Sequence, residues 1–148
     1  MLRLSKLTDY ATVILSFMAR DTIQVHAAVE IATVTGIALP TVSKILKLLV
    51  NADVLVSTRG AKGGYVLART PETISVAAVI NALEGPIALT ECSISQQGCE
   101  QASGCDIRGS WSLINQTIHN ALESVTLADL IRPVVPVEVL IPVSSLYR

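Results

Sequence analysis

Aromatic residues are scarce in this chain of 148: one Trp, three Tyr and one Phe, against a hydrophobic fraction of 51%. That balance fits helices packed through aliphatic side chains, and the length allows one domain with a real core plus an appendage. Cysteine is limited to three, an odd number that cannot close into disulfides within one chain. Free thiols fit a reducing cytoplasm better than a secreted scaffold. No stretch reaches the ~20 apolar residues that a membrane span needs. The run Ala11–Ala19 behind Arg3 and Lys6 resembles a signal peptide, yet Asp9 interrupts it, and helical amphipathicity explains it equally well. There is no P-loop, no dinucleotide fingerprint and no Ser/His/Asp or Cys/His constellation. The two histidines, His26 and His119, read as ordinary surface or helix residues. These absences predict a soluble, cytoplasmic protein that is not an enzyme.

The charge that is present is unevenly placed. Residues 1–69 carry eight Lys/Arg against four acids, a net of +4, and residues 70–148 carry three against eight, a net of −5. A basic N-terminal half favours a polyanionic partner, nucleic acid before others, over a chance clustering.

Periodicity divides that half into elements. Leu4, Leu7, Tyr10, Ala11, Ile14, Phe17 and Met18 recur at steps of three and four, predicting a helix over 5–19 capped by Ser5 or Thr8. Thr22–His26 is short and β-branched, a candidate strand. Ala27–Thr35 reads as a second helix stopped by Gly36. Pro40 opens a third, where its missing N–H costs nothing. Val42, Ile45, Leu46 and Leu49 form its apolar face; Thr41, Ser43, Lys44, Lys47 and Asn51 form its other face. Two helices joined by a short turn, the second basic and hydroxyl-rich outside, make a helix-turn-helix pattern. Cations neutralise phosphates, and short hydroxyls reach phosphates or base edges without bulk.

Next come a strand over Val54–Thr58, a glycine-rich cationic turn, Arg59-Gly-Ala-Lys-Gly-Gly64, and a strand over Tyr65–Leu67. A hairpin in this position is a wing. Its Gly60 and Gly63 allow close approach of backbone to a duplex, and Arg59 and Lys62 carry the charge. The candidate DNA-contacting set is thus Pro40, Thr41, Ser43, Lys44, Lys47, Arg59, Gly60, Lys62 and Gly63.

Ser75 caps a helix from Val76 to about Leu83, ended by Glu84-Gly85-Pro86. From Ile107 to Val125 a long helix places Trp111, Ile114, Ile118, Ala121 or Leu122, and Val125 at near-heptad spacing, a narrow stripe that predicts a homodimer seam. Thr126–Leu130 starts one last short turn. In the tail from Pro133 onward, Val135, Val137, Val139, Ile141 and Val143 alternate like a strand, while Pro136 and Pro142 strip donors from one edge.

All three cysteines lie between these helices, Cys92, Cys99 and Cys105, in a segment whose glycines and small polar residues predict a flexible loop. Thiolates ligate zinc and iron–sulfur clusters. Structural zinc sites show paired C-x₂₋₄-C knuckles and four protein ligands, and neither is present. Spacers of six and five residues suit a larger cluster, whose irons need ligands from several directions. Spacing alone leaves a cluster, another metal and unliganded thiols open, with the fourth ligand unassigned.

Four pieces carry a resemblance to a known family: the opening L-x-K-L-T-D-Y-A at Leu4–Ala11, the helix pair ending in Leu39-Pro-Thr-Val-Ser-Lys-Ile-Leu46, the wing Arg59-Gly-x-Lys-Gly-Gly-Tyr65, and three cysteines before a long helix. Over about residues 1–131 the chain resembles the Rrf2 family of winged-helix repressors, which includes the IscR and NsrR branches. It looks most like the proteobacterial regulators of the SUF iron–sulfur assembly operon. The resemblance implies a mainly α fold with a small β-hairpin: a winged helix-turn-helix over 1–84, a cluster loop over 85–106, a dimerisation helix over 107–131 and an apolar tail over 132–148. It further implies a homodimer on palindromic double-stranded DNA, with Cys92, Cys99 and Cys105 as cluster ligands. In the IscR branch a histidine three residues after the last cysteine is the fourth ligand; here that place holds Arg108. In the NsrR branch an aspartate in a T-D-Y context reaches across from the other subunit, and Asp9 matches it. A [4Fe–4S] cluster with Asp9 in trans is therefore favoured, with [2Fe–2S] as runner-up. The functions implied are repression of SUF genes on cluster loading, or nitric-oxide or redox sensing. A zinc-stabilised protein-interaction module is the reading from another class. The acidic residue that helps IscR select sites is missing between Thr41 and Leu49.

Overall fold

A computed structural model describes residues 3–95, 99–100 and 104–133; the alternating tail from residue 134 onward and parts of the cysteine segment lie outside the described residues. Among the described residues, helices and one hairpin follow in chain order: α1 Lys6–Met18, α2 Ala28–Thr35, α3 Leu39–Asn51, β1 Leu55–Thr58, β2 Gly64–Leu67, a single 3-10 turn Pro71–Thr73, α4 Val76–Glu84, α5 Glu91–Ile94, α6 Arg108–Glu123 and α7 Leu127–Ile131. No helix among them is long and apolar enough to cross a membrane.

The helix boundaries follow from local chemistry. Ser5 is extended and its hydroxyl accepts from the Thr8 N–H, capping α1. Gly36 closes α2 in the left-handed region, φ 70°, with its N–H donating to the Ala32 carbonyl. Ser75 caps α4 by accepting from the Ala78 N–H. The strand predicted over Thr22–His26 reduces to one bridge, His26 with Tyr65. Asp21 is the reason: its Oδ1 accepts from the Ile23 and Gln24 N–H groups, both at 3.2 Å, and curls the segment away from a ladder.

α1, α2 and α3 pack around a wholly aliphatic centre of Ile14, Leu15, Met18, Ile31, Val42, Ile45, Leu46 and Leu49. Removing each such side chain from water stabilises the fold by about 1.5–3 kcal/mol. The hairpin pairs antiparallel with Leu55 opposite Leu67 and Thr58 opposite Gly64. Val54 and Leu55 anchor it to α3. The arrangement is mainly helical with a two-stranded antiparallel sheet, the winged helix-turn-helix expected from the sequence.

α6 meets the head mainly through α4. Its stripe divides between two uses. Ile118 and Leu122 face Ile80 and Leu89 across a groove beside α4, while Ile114 remains exposed, as does Leu113 beside the stripe. α7 then returns to the head. Thr126 and Asp129 form a reciprocal capping box at its start, the Leu127 N–H donates to the Ile74 carbonyl at 2.8 Å, and Leu127 is 1% exposed within the central core.

Candidate nucleic-acid interface and metal centre

α3 turns one face inward through Val42, Ile45, Leu46 and Leu49 and the opposite face outward. Ser43, Lys44 and Lys47 are exposed there, Thr41 is half-buried, and Pro40 sits exposed in the first turn. Neither lysine has a carboxylate partner among the described residues, so both charges are available to phosphates. At the wing tip Arg59, Gly60 and Lys62 are exposed. Gly60 has φ 118°, which a side chain rarely tolerates, and its carbonyl accepts from the Gly63 N–H at 2.9 Å, closing the turn. A Cβ on Gly63 would lie 2.5 Å from the Thr58 carbonyl oxygen, and one on Gly64 would lie 2.5 Å from that of His26. Only glycine admits either approach.

The second of these corrects the reading of His26, which is 2% exposed and belongs to the interior. Its N–H donates to the Tyr65 carbonyl and its carbonyl accepts from the Tyr65 N–H, both at 2.9 Å. The ring stands edge-on to Phe17 at 5.0 Å between centroids, with Nε2 3.2 Å from the Asp21 carbonyl and Nδ1 3.6 Å from Glu30 Oε1. His26 thus pins the wing to the first two helices. The periodicity of α1 and α2 carries no trace of this, because it is a contact between β2 and a connecting segment. Sequence reasoning also missed the crevice of about 450 Å³ between the start of α2 and the wing, lined by Ala27, Ser57, Thr58, Arg59 and Tyr65. Its hydroxyls and Arg59 extend the basic surface; the paired small residues Ala27 and Ala28 are the sequence hint.

At its start the cysteine segment is helical, where the sequence predicts a loop. Cys92 lies on the helical turn α5, where the Thr90 hydroxyl is 3.1 Å from its Sγ and 2.9 Å from the Ser93 hydroxyl. Asn115 of α6 holds the approach to that turn. Its Oδ1 accepts from the Leu89 N–H at 3.0 Å and its Nδ2 donates to the Ile87 carbonyl at 3.2 Å. Cys92, Ser93, Arg108, Gly109 and Ser112 line a hollow of about 340 Å³ at the start of α6. A helix N-terminus and a guanidinium together give positive potential, which suits an anionic, thiolate-ligated group.

All three thiols are free and half-buried, so the donor chemistry fits an iron–sulfur cluster. Among the described residues no three His, Cys, Asp or Glu side chains gather to hold a metal ion. Asp9 is exposed in the first turn of α1, and its carboxylate has no ion-pair partner among the described residues. Its neighbour Thr8 is tied to α4: the Thr8 hydroxyl and the Ser5 N–H both donate to Glu84 Oε1 at the end of that helix. These two bonds, the Thr8 hydroxyl first, hold the Glu84 carboxyl below its ordinary range. Arg108, beside the hollow at the start of α6, offers no lone pair to a metal.

The model of the Rrf2 family, described as iron-dependent transcriptional regulators, matches residues 4–133. The chain is 36% identical over 103 residues to protein rrf2 of Nitratidesulfovibrio vulgaris, covering 70% of this chain and 69% of that one. It is 31% identical over 102 residues to the HTH-type transcriptional regulator IscR of Sodalis glossinidius, covering 69% of this chain and 61%, less than two thirds, of that relative. Among solved structures, CymR (YrzC), the global cysteine regulator of B. subtilis, superposes with a TM-score of 0.69 at 30% identity, covering 88% of this chain and 97% of the other.

Proposed function

The chain belongs to the Rrf2 family of transcriptional regulators, and on that footing we propose that it is an iron–sulfur-dependent repressor. It binds a palindromic operator as a homodimer and controls SUF-type iron–sulfur assembly genes. Lys44 and Lys47 meet phosphates of the major groove, Ser43 and Thr41 reach base edges, and Arg59 with Lys62 carries the wing into the minor groove. The exposed Leu113 and Ile114 of α6 supply the seam between subunits.

The observation that supports this reading is the short link between the thiols and the reading head. Asn115 seats the segment leading to Cys92 on α6. Glu84, which ends α4 eight residues before Cys92, is bound to α1 through the Thr8 hydroxyl. A change of load at the thiols therefore has a short covalent and hydrogen-bonded route to α4, the helix that packs against α3.

Cys92, Cys99 and Cys105 would hold the cluster, with the partner subunit's Asp9 as fourth ligand, [4Fe–4S] before [2Fe–2S]. The cluster supplies a group whose presence follows iron and sulfur supply and exposure to oxidants. The half-exposure of all three thiols favours a second reading of the same site, as a sensor of nitric oxide or redox state. Anaerobic reconstitution followed by iron and sulfide analysis, Mössbauer spectra and operator titration tests the proposal. Bound cluster, lost on Cys→Ala at any of the three positions and changing operator affinity, is the expected result. A colourless, iron-free protein, or a cluster without effect on DNA binding, sinks it.

A further inference from the structure

Thr90 stands at the N-cap of the turn that carries Cys92, yet its hydroxyl makes no capping bond to a backbone N–H. Capping is what a threonine at that position ordinarily does. Here the hydroxyl is turned toward two side chains instead, 3.1 Å from Cys92 Sγ and 2.9 Å from the Ser93 hydroxyl. Its place is fixed from both sides. Asn115 seats the preceding residues on α6 through its bonds to Ile87 and Leu89, and the Ser93 N–H donates to the Thr90 carbonyl at 2.9 Å.

Between a thiol and a hydroxyl, either group can donate. A sulfur that ligates a metal carries no proton, so only one direction is left. Thr90 then gives its single O–H to the sulfur, and its oxygen accepts from the Ser93 hydroxyl. We infer that Thr90 is a positioning residue for the cluster, its hydroxyl oriented by Ser93, donating to the Cys92 sulfur and raising the cluster's reduction potential. This rests on the cluster reading given above. A donor at a ligating sulfur withdraws charge from it, which favours the more negative, reduced form of the group that the sulfur holds.

The test compares wild type, Thr90→Val and Thr90→Ser after anaerobic reconstitution with iron and sulfide. Thr90→Val keeps the shape of the side chain and loses the donor. Its midpoint potential should fall, disfavouring the reduced form by up to about tenfold, or about 59 mV for one electron, at unchanged iron and sulfide content. Thr90→Ser keeps the hydroxyl and should match wild type. Equal potentials in wild type and Thr90→Val, or a fall that Thr90→Ser shares, would overturn the inference and leave the cluster reading standing. A wild type that takes up no cluster would overturn both. Metal-free protein supplies a readout that needs no cluster: three-bond couplings to the Thr90 methyl should report one χ1 rotamer. Averaging over rotamers would overturn the inference alone.

Discussion

The Thr8 hydroxyl donates to the carboxylate of Glu84, joining the first turn of α1 to the last residue of α4. Thr8 is fully buried, and the same oxygen of Glu84 accepts from the Ser5 N–H at 2.8 Å. One carboxylate therefore fixes the start of the reading head against the helix that leads to the thiols.

Thr8→Val should cost about 1 kcal/mol of unfolding free energy, the usual net value of such a bond. Because Glu84 has its carboxyl held below the ordinary value of 4.5, its ionised form is favoured by folding. Its contribution is present above the unfolded value and fades as pH falls through the folded one. Urea titrations of wild type and Glu84→Gln should differ at neutral pH and converge as the pH falls from above 4.5 through the lowered folded value. A constant difference across that range would show that the charge of Glu84 is not what binds α1.

Lys44→Ala, Lys47→Ala and Arg59→Ala should each weaken operator binding and lower the slope of log affinity against log salt by about one. Fluorescence anisotropy over a salt series reads this. An unchanged slope for all three would place the interface elsewhere.

The wing depends on glycine at two positions for different reasons. Gly60→Ala forces a side chain onto φ 118° and should cost about 1–3 kcal/mol. Gly64→Ala drives a Cβ against the His26 carbonyl and should separate the wing from His26. Circular dichroism melts, with the His26 ring shifts followed by NMR, distinguish a strained wing from one that has detached.

Asn115→Leu removes both bonds to the segment ahead of Cys92 while leaving the buried core of α1–α3 untouched. Alkylation of Cys92 by iodoacetamide, followed by mass spectrometry, should accelerate severalfold without a matching loss of head stability. Equal rates would mean that α5 is held by other contacts.

Much of the fold was legible in the sequence because it rests on short-range rules. The 3-and-4 spacing of Ile14, Met18, Val42, Ile45, Leu46 and Leu49 named the buried faces, Ser5, Gly36 and Ser75 marked helix ends, and Arg59–Gly64 marked the wing. The candidate DNA-contacting residues followed, since exposure on a helix is the complement of its apolar stripe. The thiols were legible as donors by residue type alone.

What the tertiary structure decided are contacts between residues far apart in the chain. The burial of His26 depends on β2, the lowered carboxyl of Glu84 depends on Thr8, 76 residues away, and the seat of the thiol segment depends on Asn115 on the following helix. Leu127 reads as part of a short terminal turn, yet it completes the core because Ile74 and α1 leave space for it. Periodicity fixes which face of an element is apolar; only packing in three dimensions fixes what that face meets.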